Sequence, residues 1–302
     1  MSSKFAVHLH LYYFWMWDSI KEYLSNIDGE YLLYVTMTEE NQEIAAKIKA
    51  FHPNSKIVIL DNRGHDVGPF IYFLKDINLD DYDFIMKLHT KRDDKPNFTY
   101  FKDSYVIRNN RWFNLLMNAL LESKDVYKAN LNKFSKDPTL GMIGSKYLNF
   151  KGKDTLMQNT SMIDKYLAKM NFSYNENMSF IGGTMFIVRA PLLKVVRDCV
   201  DFSNFDHSKQ SSDDGTLAHA FERILGFVIG AQGYQIKGFD KNSEVIKDSI
   251  YLFYVKHPIL KKIISFFYVN NITQSNYHII RILMIPVLHK KVKTNLNQQD
   301  DR

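Results

Sequence analysis

Three short clusters in the 302-residue chain carry the residue types that acid–base and anion-binding chemistry needs. The first, DNRGHDVGPF from Asp61 to Phe70, places Asp61, Arg63, His65 and Asp66 on one strand-to-helix turn. Asn62 adds an amide, Gly64 permits a positive φ, and the free amides that open a helix favour anions. Such a turn could hold a nucleotide sugar. In the plainer structural reading, Asp61 caps the turn and Arg63 pairs with Asp66.

The second cluster, KLHTKRD from Lys87 to Asp93, follows directly on an apolar run. Lys87, Lys91 and Arg92 beside His89 and Thr90 make a cationic cradle for a pyrophosphate, whose charge on departure needs electrostatic stabilisation. Arg92 and Asp93 read equally well as solvated surface charge. The third cluster joins Gly182 and Gly183, where backbone can approach a ligand closely, to a helix opening at Ser211-Ser212-Asp213-Asp214-Gly215. Helical spacing puts Asp214, Ala218 and Glu222 on one face, opposite Leu217, Phe221 and Ile224. One carboxylate could then deprotonate a hydroxyl while the other fixes Arg223 or a metal. The alternative is a helix capped by Asp213 with ordinary surface charges.

These clusters need a scaffold, and the apolar pattern supplies one. Phe5 to Leu11 alternates as a strand, and Trp15 to Leu24 follows with helical spacing. Tyr31 to Met37 (YLLYVTM) suits a strand buried on both faces, and Glu39 to Phe51 is an amphipathic helix with Ile44, Ile48 and Phe51 inward. Lys56 to Leu60 and Tyr82 to Leu88 continue the strands, with a helix from Gly68 to Leu74 between them. Arg111 to Leu121 reads as helix, Leu140 to Ser145 as a short strand, Phe180 to Arg189 as a strand and Ser212 to Leu225 as a capped helix. This alternation predicts a mostly parallel sheet flanked by helices, with ligands beyond the carboxyl ends of the strands.

After Gly238 the pattern changes. Tyr251 to His257 reads as a possible strand, and PILKKIISFFYV and IIRILMIPVLHKKVK mix Ile, Leu and Phe with Lys261, Lys262, Arg281, Lys290, Lys291 and Lys293. Such a tail suits an interfacial membrane anchor or a helix pair closing the core. The expected division is residues 1–240 as the main domain and 241–302 as a helical, basic appendage.

Composition narrows the classes. A chain with 45% hydrophobic and 24% charged residues can bury a large core, which excludes disorder. Its 22 Phe and 18 Tyr suit core packing first and sugar-facing walls second. A single cysteine, Cys199, excludes an internal disulfide framework and fits a reducing cytoplasm. His8 and His10 interrupt the N-terminal apolar run, so no signal peptide is expected, and no run of about 18 apolar residues suggests a spanning helix. The net charge of +6 favours anionic partners such as nucleotide diphosphates, lipid phosphates or acidic bilayers. Nucleic acid is not expected, because the charge is spread along the chain and no recognition motif is present.

In order, HLHLYY, NRGHDVGPF, YDFIMKLHTKR, FIGGTMFIVRAPLL and DDGTLAHAFERILG resemble the rhamnan synthesis protein F-like family, from about His8 to Gly233. The resemblance implies a glycosyltransferase of O-antigen, capsule or rhamnose-rich wall polysaccharide assembly, moving rhamnose or galactofuranose. It also implies a GT-A-like nucleotide-sugar fold with Asp214 as the base and Glu222 beside it. Asp61, Asn62, Arg63, Gly64, Asp66, Lys87, His89 and Lys91 would then bind the donor, and Gly182, Gly183, His219, Arg223 and His10 the acceptor or sugar. The sequence departs from the usual GT-A pattern after the fourth strand, where Leu88-His89-Thr90-Lys91 stands in place of Asp-x-Asp. A basic cradle could replace Mg2+ or Mn2+, or Asp66 and His89 could ligate one; both readings stay open. The implied partners are a UDP- or dTDP-linked sugar, a polyprenyl-diphosphate-linked glycan acceptor and the inner membrane surface. The implied site of action is cytoplasmic and peripheral at the inner face, and a single base would give inversion. The rival expectation is a non-catalytic carbohydrate-binding or scaffold subunit of the same assembly complex.

Overall fold

The computed structural model describes residues 4–91, 98–101, 105–108, 112–207, 215–238, 245–246, 268–272, 277–282 and 285–291. In chain order the first half comprises β1 (Phe5–His10), α1 (Trp17–Leu24), β2 (Tyr31–Met37), α2 (Gln42–Phe51), β3 (Lys56–Ile59), α3 (Val67–Asp76) and β4 (Phe84–His89). The short strands β5 (Phe98–Phe101) and β6 (Tyr105–Arg108) precede α4 (Trp112–Leu121), α5 (Lys124–Lys136), β7 (Leu140–Gly144), β8 (Asn149–Lys151) and α6 (Thr160–Lys169). The remainder is β9 (Ser179–Ile181), β10 (Phe186–Arg189), α7 (Lys194–Cys199), α8 (Leu217–Ala231), β11 (Gln235–Gly238), β12 (Val245–Ile246), β13 (Tyr268–Ile272), β14 (Tyr277–Ile282) and β15 (Ile285–Lys291). The chain divides into two units, residues 1–101 with 107–245, and residues 102–106 with 246–302.

In the larger unit a seven-stranded sheet runs in the order β11-β7-β10-β4-β1-β2-β3. All neighbours pair parallel except β10, which is antiparallel to both β4 and β7. The α/β architecture expected from the alternating pattern is therefore present. Local chemistry sets the helix starts: Asn41 accepts from the Ile44 N–H at 3.0 Å to cap α2, Ser123 from Val126 at 3.2 Å to cap α5, and Thr216 from His219 at 3.4 Å to cap α8. Pro69 sits in the first turn of α3, where a missing N–H removes no intrahelical bond.

β1 and β4 lie side by side in the middle of this sheet, and their register pairs Phe5 with Phe84, Val7 with Met86 and Leu9 with Leu88. These residues form one apolar face, against which α5 packs through Tyr127, 5.8 Å from the Phe5 ring, and Phe134, 4.8 Å from the Phe84 ring. The alternate residues pair His8 with Lys87 and His10 with His89. That second face meets α3, whose Phe73 ring stacks on His8 at 5.0 Å. The two faces arise because side chains alternate along a strand.

Three expectations are corrected by these elements. Phe180 to Arg189 is not one strand: β9 pairs with β8 in a separate small sheet, and β10 enters the main sheet after a turn through Gly182–Thr184. Helix α8 begins at Leu217, so the helical face expected to unite Asp214 with Glu222 starts after Asp214. The basic, apolar tail is not helical where it is described: β13, β14 and β15 form an antiparallel sheet. Ile-rich alternation with a Pro at 286 favours strand over helix there. The strand expected at Tyr251 to His257 lies outside the described residues. Helices α5 and α6 fall where the pattern assigned no element.

Candidate functional site

At the carboxyl end of β4 the alternation of side chains turns Lys87 and His89 to one face, where they meet Asp66 and the Thr184 hydroxyl. Lys87 is fully buried, and its ammonium donates to Asp66 Oδ2 and, at 2.7 Å, to the Thr184 hydroxyl. The Thr184 hydroxyl donates in turn to the same Asp66 oxygen. His89 Nε2 lies 2.7 Å from the Gly183 carbonyl and 3.7 Å from Asp66 Oδ2, while its Nδ1 faces the Thr90 carbonyl at 2.9 Å. Both partners are carbonyl oxygens, which only accept, so each contact calls for a proton on the ring nitrogen that faces it. Burial opposes the Asp66 charge, yet His89, Lys87 and the two hydrogen bonds hold its carboxyl well below the usual range. Burial pulls Lys87 and His89 down, against the attraction of Asp66.

One strand over, Thr36 of β2 bridges two histidines of β1, its hydroxyl 3.1 Å from His8 Nε2 and 3.1 Å from His10 Nδ1. Burial lowers the His10 pKa to about 3 and puts that of His8 well below its ordinary value, with the Lys87 charge adding to the effect on His8. Both are neutral rings inside the protein.

The turn after β9 links this buried cluster to α8. Gly183 has φ +80° and Thr184, a β-branched residue, has φ +49°, a left-handed conformation that such residues rarely adopt. The Gly183 N–H donates to Glu222 Oε1 at 2.7 Å, and the Glu222 side chain keeps 24% exposure. Arg223, 3.5 Å from Glu222, is engaged with the chain itself: its Nε donates to the Thr155 carbonyl at 2.8 Å and its Nη1 to the His219 carbonyl at 2.7 Å. A Cβ on Gly182 would meet the Phe150 ring at 2.4 Å.

The Asp61–Asp66 turn closes over the segment before residue 208. Gly64, at φ +65°, donates to the Asp206 carbonyl at 3.1 Å and leaves room for Phe205, whose ring a Cβ would strike at 2.6 Å. Arg63 donates to the Phe205 carbonyl at 3.1 Å and lies 2.7 Å from His207 Nε2. Asp61 is exposed and 3.6 Å from Arg63. The turn presents His65 5.9 Å, ring to ring, from His219 of α8, and burial lowers the His65 pKa. Lys91 stands over the Trp112 ring at 4.7 Å.

Of the predicted residues, Asp66, Lys87, His89, Gly183 and Glu222 form one connected network. Arg63 and Asn62 share the turn with Gly64, while His10 is directed into the β1–β2 pair. Arg63 pairs with Asp61 rather than with Asp66, whose partners are Lys87 and Thr184. Asp214, Arg92 and Asp93 lie outside the described residues. Thr184, Thr36 and His8 complete the arrangement and were missed, while His65 was read as part of the first cluster but given no role. The parallel spacings HLH in β1 and KLH in β4 carry the available signal, since each places polar groups two apart on one face. Among the described residues, no helix is long and apolar enough to cross a membrane, and no group of three or more His, Cys, Asp or Glu is placed to hold a metal ion.

The rhamnan synthesis protein F family matches residues 1–234, and the chain belongs to that family. Two proteins called WxcX and described as uncharacterized, from two strains of Xanthomonas campestris pv. campestris, are 25% identical over 217 residues. The match covers 72% of this chain and 28% of theirs, so the chain spans little more than a quarter of the length of these relatives. Among solved structures, residues 1–349 of S. aureus TarS superpose with a TM-score of 0.42 at 11% identity, over 83% of this chain and 62% of that one. The same fragment in complex with UDP gives a TM-score of 0.42 at 14% identity, over 83% and 62%.

Proposed function

We propose, on the premise of that family membership, that the chain is a glycosyltransferase of bacterial surface-polysaccharide assembly. The observation that carries the reading is the Glu222 carboxylate, partly open to solvent and fixed by the Gly183 N–H beside a network of buried Lys87 and His89 with half-buried Asp66. This arrangement supports the orienting of an acceptor hydroxyl at one point and anion stabilisation beside it.

In this reading a UDP- or dTDP-linked sugar, rhamnose or galactofuranose, lies over the carboxyl edge. Arg63 and Lys91 meet its diphosphate, with Asn62 and Asp61 at the rim. Lys87 and His89 act from beneath through their field rather than by contact, because both are buried. Asp214 takes the proton of an acceptor hydroxyl, with Glu222 and His219 orienting it. The hydroxyl oxygen bonds to the anomeric carbon as the bond to the departing diphosphate breaks, giving inversion. The acceptor is a polyprenyl-diphosphate-linked glycan presented at a membrane surface. Asp66 Oδ2 already accepts from an ammonium and a hydroxyl, which supports catalysis without Mg2+ or Mn2+ at that carboxylate.

A second reading, a non-catalytic glycan-binding subunit, draws on one observation: Lys87 and Asp66 answer each other inside the protein. One assay separates the two. Turnover of a panel including UDP-galactofuranose and dTDP-rhamnose is followed by mass spectrometry, with lipid-linked and water-soluble acceptors, with and without EDTA. Asp214→Asn is expected to lower turnover by about 10²–10⁴-fold, the range of a lost general base, and EDTA to have no effect. Donor binding by thermal shift without turnover on any acceptor would favour the binding subunit.

A further inference from the structure

The Gly183–Thr184 turn contains a residue whose type and conformation conflict. Thr184 is 2% exposed and sits at φ +49°, where its branched Cβ is strained and where glycine would sit without cost. Residues held in such conformations persist when their surroundings over-determine them, and they cluster at functional sites. The Thr184 hydroxyl supplies what over-determines it here: it accepts from Lys87 at 2.7 Å and donates to Asp66. Its N–H closes the turn on the Ile181 carbonyl at 3.1 Å. The neighbouring Gly183 then faces two ways, its carbonyl toward His89 of β4 at 2.7 Å and its N–H toward Glu222 of α8 at 2.7 Å.

We propose that Thr184 is a positioning residue: its hydroxyl ties the turn to the Asp66–Lys87 ion pair and so aims the Gly183 N–H at the Glu222 carboxylate. Glu222 is held to the sheet edge through this turn, not through its own helix alone. The role assigned to Glu222 rests on the transferase reading above, but the geometry of the tie does not. A threonine serves where glycine would relax the backbone, because glycine has no hydroxyl to join a half-buried carboxylate to a buried ammonium.

Two variants test the tie. Thr184→Gly removes the hydroxyl while relieving the backbone strain, and Thr184→Ser keeps the hydroxyl and loses only the branch. Expected for T184G is a folded protein with kcat lowered about 10- to 100-fold, the scale of a small misplacement, little change in donor KM, and faster hydrogen exchange at the Gly183 amide. T184S is expected to keep kcat and Gly183 protection close to the parent protein. The proposal is overturned if T184G retains kcat and Gly183 protection, or if T184S is as impaired as T184G. It is also overturned if T184G fails to fold while T184S folds, since the hydroxyl would then serve folding alone. Should the parent protein turn over no donor, the transferase reading fails, and Gly183 exchange in T184G still decides the tie.

Discussion

The two faces of β1 and β4 are built on the same strands and the same backbone ladder, yet they perform different work. On one face Phe5, Val7, Leu9, Phe84, Met86 and Leu88 are all buried and apolar. On the other, His8, His10, Lys87 and His89 are as deeply buried but polar, and they crowd toward the carboxyl end while Ala6 and Ile85 occupy the amino end. An apolar face stabilises in proportion to the area removed from water. A buried charged face costs desolvation and is held only by partners placed with good geometry. The polar face therefore marks where the sheet has been shaped for positioning, and the apolar face marks where it has been shaped for cohesion.

The largest test of that contrast is Asp66→Asn, which leaves the fully buried Lys87 ammonium without its counter-charge. About 3–5 kcal/mol of stability is expected to be lost by urea denaturation, with turnover falling as well. Adding Lys87→Met to that variant should restore much of the stability and none of the turnover; recovery of both would dissolve the distinction between the faces. Leu9→Ala on the apolar face comes next. Its expected cost is about 2–5 kcal/mol from lost burial and the cavity left behind, with kcat per folded molecule unchanged. A kcat loss comparable to that of the Asp66 variant would show the faces to be coupled.

The third test is in pH, and its effect grows with the distance below pH 6.5. The folded-state pKa of His10 is lowered from 6.5 to about 3 by burial, and that of His8 is also lowered, so the unfolded chain takes up protons that the folded chain refuses. Stability is then full above about pH 6.5 and declines as pH falls toward 3, by at most about 1.4 kcal/mol per pH unit for each histidine. Urea midpoints at pH 7.5 and pH 5 should differ accordingly, and His10→Gln should flatten the slope. An unchanged slope in that variant would remove His10 from the account. Asp66, whose pKa is held low, loses its contribution only below the ordinary carboxylate range, a separate window.

Much of the scaffold was readable because it depends on local repetition. The apolar runs of β1, β2 and β4 and the helical spacing of α2 and α3 specify what is buried, and Asp66, Lys87 and His89 stand at strand and turn boundaries that the same pattern marks. Thr184 gave no such sign. Its importance comes from contacts 118 residues away at Asp66 and 97 away at Lys87, and from a φ value that composition does not reveal. Arg223 is likewise placed by a distant group, its guanidinium donating to the Thr155 carbonyl as well as to that of His219 and lying 3.5 Å from Glu222. The strands of the basic tail were taken for helices because short apolar runs with interspersed lysines satisfy both periods.

By itself the amino-acid sequence determined the parallel α/β order, the family to which residues 1–234 belong, and the turn on which Asp66 sits. These rest on side-chain periodicity and on short motifs, which act over a few neighbouring residues. Tertiary structure alone decided that Lys87 would face Asp66 and Thr184 inside the sheet, that Thr36 would hold two histidines, and that Glu222 would be held by the Gly183 amide. Register between strands and the approach of α8 to the turn set those distances, and both are properties of packing that no single stretch of chain carries.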